Sequence, residues 1–128
     1  MTAYAWRRRR RGEAGQSAVE FVGWVTVLLT AALAAVQLGF VAYAVQQAGT
    51  ASRAAARVAS QGGDGSSAGY GAMSSWLADG ASITVPPGAG SDQVTATATV
   101  PIPSVIPLFS FPSAQRTTTM PVTTPAND

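Results

Sequence analysis

Residues 7–45 read RRRRRGEAGQSAVEFVGWVTVLLTAALAAVQLGFVAYAV. Five arginines, Arg7 to Arg11, are followed by a short segment ending in Gly15, and then by a long apolar run with one acid, Glu20, near its start. Phe21 to Val45 carries no charged side chain. As a helix those residues span about 37 Å at 1.5 Å per residue, enough to cross a hydrocarbon core of about 30 Å. A core helix of that length does not suit so short a chain, so the run is read as a membrane span. Clustered arginines can neutralise nucleic-acid phosphates. Here the apolar run begins ten residues later, and they read as the flank that keeps the N-terminus cytoplasmic. With no second run of this kind in the 128 residues, a single pass is expected, with everything after it outside the cytoplasm.

The composition narrows the function classes. Charged residues make up 11% of the chain, against roughly 25% in soluble domains. There is no cysteine, so no disulfide framework and no thiolate chemistry, and no histidine, the commonest general base and metal ligand. The net charge of +2 hides an asymmetry. After Gly15 only Arg53, Arg57 and Arg116 face Glu20, Asp64, Asp79, Asp92 and Asp128, a balance of −2. The pI of about 9.7 is therefore a property of the leader. Asp64, Asp79 and Asp92 lie in Gly/Ser-rich turns without a partner base, and no Gly-rich phosphate loop precedes a helix; turn chemistry accounts for them. No enzyme activity, catalytic residue, metal, cofactor, nucleic acid or small-molecule substrate is expected.

Helical patterning continues beyond the span. Ala31, Ala35 and Gly39 fall at i, i+4 and i+8, a spacing that lets helix backbones approach closely in lipid, although alanine is abundant enough here to produce it without that role. Ala44, Ala48, Ser52, Ala56 and Ser60 extend a four-residue spacing of small side chains, with Arg53 and Arg57 on another face. No proline lies between Ser17 and Ser60, and Gly62-Gly63 is a plausible stop. One helix from about Ser17 to Ser60 is expected, apolar first and amphipathic afterwards, its second part needing a covering surface.

The remainder is small, and a core of that size is marginal alone. Tyr70, Met73, Trp76 and Leu77 have the spacing of a short amphipathic helix and read as packing residues. Ile83 to Val85 is a short strand candidate closed by Pro86-Pro87-Gly88. Val94 to Val100 alternates Val/Ala with Thr and is the clearest strand. Four prolines between Pro101 and Pro112 forbid a helix or central strand and leave an apolar loop. That loop either meets a partner or the bilayer surface, or covers its own sheet. Gln115 to Val122 can pair back as a second strand, and Thr123 to Asp128 reads as a tail.

Glu20 is the residue that needs explaining. An ionised acid in hydrocarbon costs several kcal/mol unless paired, and the nearest bases, Arg11 and Arg53, are nine residues back and far beyond. A cut after Gly15 would create an α-amino group on Gln16, four residues before Glu20. That cation would pair with Glu20 of the same chain or of a neighbour, and the second pairing would set register in a bundle of parallel helices.

These features carry a resemblance. The basic leader, Gly15 and then Gln-Ser-Ala-Val-Glu-Phe, with Glu20 at the fifth position after the glycine, is similar to the class III signal of type IV pilins and pseudopilins. SAVEF, the apolar helix and the Ala/Arg-rich ASRAAARVA together resemble the TadE-like family, and QVTATATV, the proline-rich loop and QRTTTMPV resemble its C-terminal strand pair. The resemblance runs from about Gly12 to Val122 and is closest in the first fifty residues. It implies a minor pilin or pseudopilin of a tight-adherence (Flp-type) pilus or secretion apparatus in a bacterial envelope. A prepilin peptidase would cut between Gly15 and Gln16, Glu20 with Phe21 would form the assembly motif, and other pilins, pseudopilins and the Tad assembly platform would be partners beside membrane lipid. Phe21 stands where many Flp-type pilins have tyrosine, and the C-terminal cysteine pair of some pilin-like proteins is missing.

The expected fold is α+β and membrane-bound: one long N-terminal helix, then a small extracytoplasmic region with a short helix and a few antiparallel strands. Residues 1–15 would be a cleaved leader, 16–62 the long helix with its transmembrane segment at about 21–45, and 63–128 the extracytoplasmic region. The protein would sit in the bacterial cell membrane or in a surface pilus. A competing expectation is an ordinary signal sequence, with Phe21 to Leu33 as its apolar core and Ala32-Leu33-Ala34 as the cleavage site. That would release or anchor a small binding module starting at about Ala35.

Overall fold

Nothing in the first sixty residues obliges a helix to stop, and in the structure none does. The computed structural model describes residues 3–88 and 91–123, with side chains from Gly15 onward. Its first element is a single helix, α1, Ala3–Ser60. It begins well before Ser17, because the leader contains no proline and its two glycines weaken a helix without breaking it. The side chains of Arg7 to Arg11 lie outside the described residues, as does the end of the expected tail, 124–128. Helix α1 ends at the predicted glycines. Gly62 has φ +82°, the left-handed region that glycine enters without penalty. The amides of Gly62 and Gly63 donate to the carbonyls of Ala59 and Val58 at 3.0 and 2.9 Å, closing the last turn in a Schellman motif.

The chain divides into two units, residues 1–36 and 37–128. The first is helix throughout the described part. The second contains the rest of α1, two short helices, α2 (Gly65–Gly71) and α3 (Ser75–Ala78), and strands β1 (Ser82–Thr84), β2 (Gln93–Val100) and β3 (Ala114–Pro121). The strands form one antiparallel sheet in the order β1-β2-β3. Ile83 lies opposite Ala98, and Ala96 opposite Thr118.

The alternation in β2 translates directly into burial: Val94, Ala96, Ala98 and Val100 are buried, and the threonines between them are half-exposed. The register puts Ala114, Thr118 and Met120 of β3 on the buried side. On the other face Thr95 pairs with Thr119 and Thr97 with Thr117, each through hydroxyls 3.0 Å apart.

The second half of α1 supplies the opposing layer. Ala44, Ala48, Ser52, Ala56 and Ser60, the small stripe read from the sequence, are all buried, together with Ala51 and Ala55. The alanines among them share one core with Met73, Leu77, Ile83 and with Ala96, Ala98 and Val100 of β2. Ser52 Oγ and Thr118 Oγ1 lie 2.9 Å apart and tie helix to sheet. The surface this helix needs is therefore provided by its own chain. Side chains of one carbon permit very close packing, and α2 uses that closeness: a Cβ on Gly65 would lie 2.5 Å from the Ala55 carbonyl oxygen.

The expected single helix around Tyr70 to Leu77 is two. Helix α2 closes on Ala72, and the Ser74 amide donates to Gln47 Oε1 at 3.1 Å instead of continuing a ladder. The break lets Met73 and Leu77 both enter the core, while the Tyr70 hydroxyl accepts from the Ile83 amide and donates to the Ala81 carbonyl. At the start of α2 the Ser67 hydroxyl and amide both donate to the Asp64 carboxylate, holding its pKa below the ordinary value.

Candidate functional site

From Gly15 to Val36 every side chain of α1 is exposed, including Phe21, Val22, Trp24, Leu28, Leu29 and Leu33. An uncovered apolar surface of this extent on a helix is what a lipid or a helical partner would cover. By length and composition α1 qualifies as a membrane-crossing helix, with a mean hydropathy of 2.1 in its most apolar window. Its neutral polar groups suit that setting. Thr26 Oγ1 donates to the Val22 carbonyl and Thr30 Oγ1 to the Thr26 carbonyl, both at 2.8 Å, so the helix itself satisfies them.

Glu20 is the one charged side chain between Gly15 and Gln37. It lies one helical turn beyond Gln16 and borders a shallow groove of about 350 Å³ shared with Gly23, Trp24 and Val27. Gly23 lies beside open space, where a Cβ would meet nothing within 4 Å. Gly15 and Gln16 lie inside the helix and are exposed, as is Phe21. Ala31, Ala35 and Gly39 are exposed too, so their small faces are uncovered. Among the described residues α1 brings these positions together as neighbours along one helix.

Gln37 is the residue whose role sequence reasoning passed over. By sequence it is a single amide within the uncharged run 21–45. In the structure it is 3% exposed and grips the proline-rich loop by both ends of its amide. Its Nε2 donates to the Pro103 carbonyl at 3.0 Å, and the Val105 amide donates to its Oε1 at 2.9 Å. Further along α1, Tyr43 stacks on Trp76 with ring centroids 5.9 Å apart, and Phe40 meets the same indole edge-on at 6.4 Å. The Tyr43 and Ser74 hydroxyls are hydrogen-bonded. Arg53 and Arg116 line a separate groove with Gly49, Ser52, Thr117 and Thr118.

A long exposed apolar helix, with one acid a turn beyond a glycine–glutamine pair and a small-faced second half, is the segment that the family comparison meets. The family model for TadE-like protein matches residues 15–57. That segment is TadE-like. The match covers about a third of the chain, starts at Gly15 and ends at Arg57, and so contains the exposed helix, Glu20, Gln37 and most of the small stripe. In general terms, that likeness points to an association with a Tad pilus apparatus. No curated protein and no solved structure matches the chain.

Proposed function

We propose that the chain is a minor pilin or pseudopilin of a tight-adherence, Flp-type pilus or secretion apparatus, without catalytic activity of its own. Single-pass anchoring by α1, with the N-terminus cytoplasmic, would place residues 37–128 outside the cytoplasm. The observation that carries the reading is the pairing of an uncovered apolar helix with Glu20, an acid with no base beside it among the described residues, one turn past Gln16, within the TadE-like segment. Cleavage by a prepilin peptidase after Gly15 would make Gln16 the mature N-terminus. The new ammonium, at i−4 from Glu20, would neutralise that acid within the chain or across to a neighbouring helix in the assembly. Ala31, Ala35 and Gly39 would give the neighbouring helix a close approach.

A second reading is favoured by a different observation. The compact unit begins at Gln37, two residues past Ala35, so an ordinary signal peptidase acting after Ala32-Leu33-Ala34 would release that unit whole. Intact-mass measurement and N-terminal sequencing of the protein from the native envelope separate the two. The pilin reading requires a start at Gln16 and an uncut chain when Gly15 is replaced by a bulky residue. A start at Ala35, or normal processing of the Gly15 variant, overturns it.

A further inference from the structure

The proline-rich loop 101–112 keeps its apolar tip away from the core. Leu108 is 90% exposed and Phe109 63%, and Phe111 is also exposed. The tip is nonetheless a closed turn. The Phe109 amide donates to the Ile106 carbonyl at 3.1 Å, and Ser104 Oγ lies 2.8 and 2.7 Å from the Ile106 and Phe109 carbonyl oxygens. The base of that turn is what Gln37 holds, through Pro103 and Val105.

Gln37 directly follows Val36, where the unbroken run of exposed helical side chains ends. Ser17 to Val36 is 20 residues, about 30 Å of helix, which equals the hydrocarbon thickness. Extending the span to Val45 would carry the loop residues clamped on Gln37 into hydrocarbon, where irregular backbone exposed to lipid is not tolerated. The aromatic group Phe40, Tyr43 and Trp76 comes one to two turns after Gln37 and exposes Tyr43 and Trp76, the residue types that collect at the headgroup level.

From these observations we infer that the loop is a lipid-docking device. The hydrocarbon span is Ser17 to Val36, and Leu108 and Phe109 enter the interfacial layer on the extracytoplasmic side, beside an aromatic belt of Phe40, Tyr43 and Trp76. This rests on the membrane anchoring proposed above. Gln37 then has a mechanical role: it fixes the height of the loop at the point where the helix leaves lipid.

The chain lacks cysteine, so one introduced cysteine carries an environment-sensitive fluorophore at a single position. Full-length Leu108→Cys, Leu29→Cys and Gln61→Cys proteins are labelled and reconstituted at high dilution into phosphatidylethanolamine/phosphatidylglycerol vesicles. Gln61 is 24 residues beyond Gln37, about 36 Å along a helix, and serves as the aqueous control. The expected result is a blue-shifted probe at 108 quenched by headgroup-level nitroxide lipids, a probe at 29 quenched by deep ones, and an unquenched probe at 61; a Phe109→Cys probe should repeat the result at 108. An aqueous probe at 108 with a lipid-buried probe at 29 overturns lipid docking and leaves the anchoring intact. Aqueous probes at both positions overturn the anchoring itself. A shift at 108 that grows with protein-to-lipid ratio and ignores lipid quenchers assigns the loop to a second copy of the chain, and also overturns the inference.

Discussion

Glu20 is an acid on an otherwise apolar surface, and the proposed role gives it a partner that exists only after cleavage. A helix that met its own needs would have no reason to keep it. If the Gln16 ammonium is its partner, Glu20→Ala should leave processing intact, because the cut lies five residues away, and should abolish assembly. Immunoblots would show the processed size, while sheared surface filaments fall to background; wild-type piliation would reduce the acid to a headgroup contact. Gly65 makes the opposite kind of residue-scale demand. Its missing side chain is filled by the α1 backbone at Ala55 and the methyl of Ala59. Gly65→Ala must push α2 off α1, at a cost of about 1–3 kcal/mol. A thermal melt of the detergent-solubilised protein should show Tm lowered by several degrees, and an unchanged Tm would mean the two helices are not in contact there.

At the scale of elements, the long helix does two jobs with two surfaces. Its first part is uncovered and apolar apart from Glu20 and a few neutral polar residues; its second part carries a stripe of alanine and serine that lets a sheet lie close. Gln37 stands at the change. Replacing it by leucine keeps the volume and removes both hydrogen bonds to the loop. A buried polar group left without a partner costs about 1–3 kcal/mol. The expected outcome of Gln37→Leu is local: hydrogen exchange at the Val105 amide speeds up, while amides of β2 in the sheet centre keep their protection. Loss of protection throughout the sheet would instead make Gln37 a general stability residue rather than a clamp.

For the whole molecule, apolar contact rather than charge should decide where it resides. If the leader is removed as proposed, the remaining chain carries three arginines and five acids, too few to hold it on a lipid surface electrostatically. Extraction of native membranes with high salt or alkaline carbonate should therefore leave the protein in the membrane fraction, and detergent should release it. Release by carbonate alone would mean that α1 does not span the bilayer.

Much of this architecture is written locally. The length of the apolar run, the proline-free stretch to Ser60, the Gly62-Gly63 stop and the Val/Ala-Thr alternation of residues 94–100 each act on near neighbours, so propensity and periodicity determined them. The acid at Glu20 and its spacing from Gly15 are also visible without any coordinates, and they carried the family resemblance that the TadE-like match then met over residues 15–57. Tertiary structure decided what covers what. The small stripe of α1 is met by its own sheet, the helix near Tyr70 breaks so that Met73 and Leu77 can both be buried, and Gln37 reaches Pro103 and Val105 across 66 and 68 residues of chain. Periodicity names a face that wants covering; only the packed chain says which distant segment arrives there, because that choice is made by shape and hydrogen bonding between residues far apart in sequence.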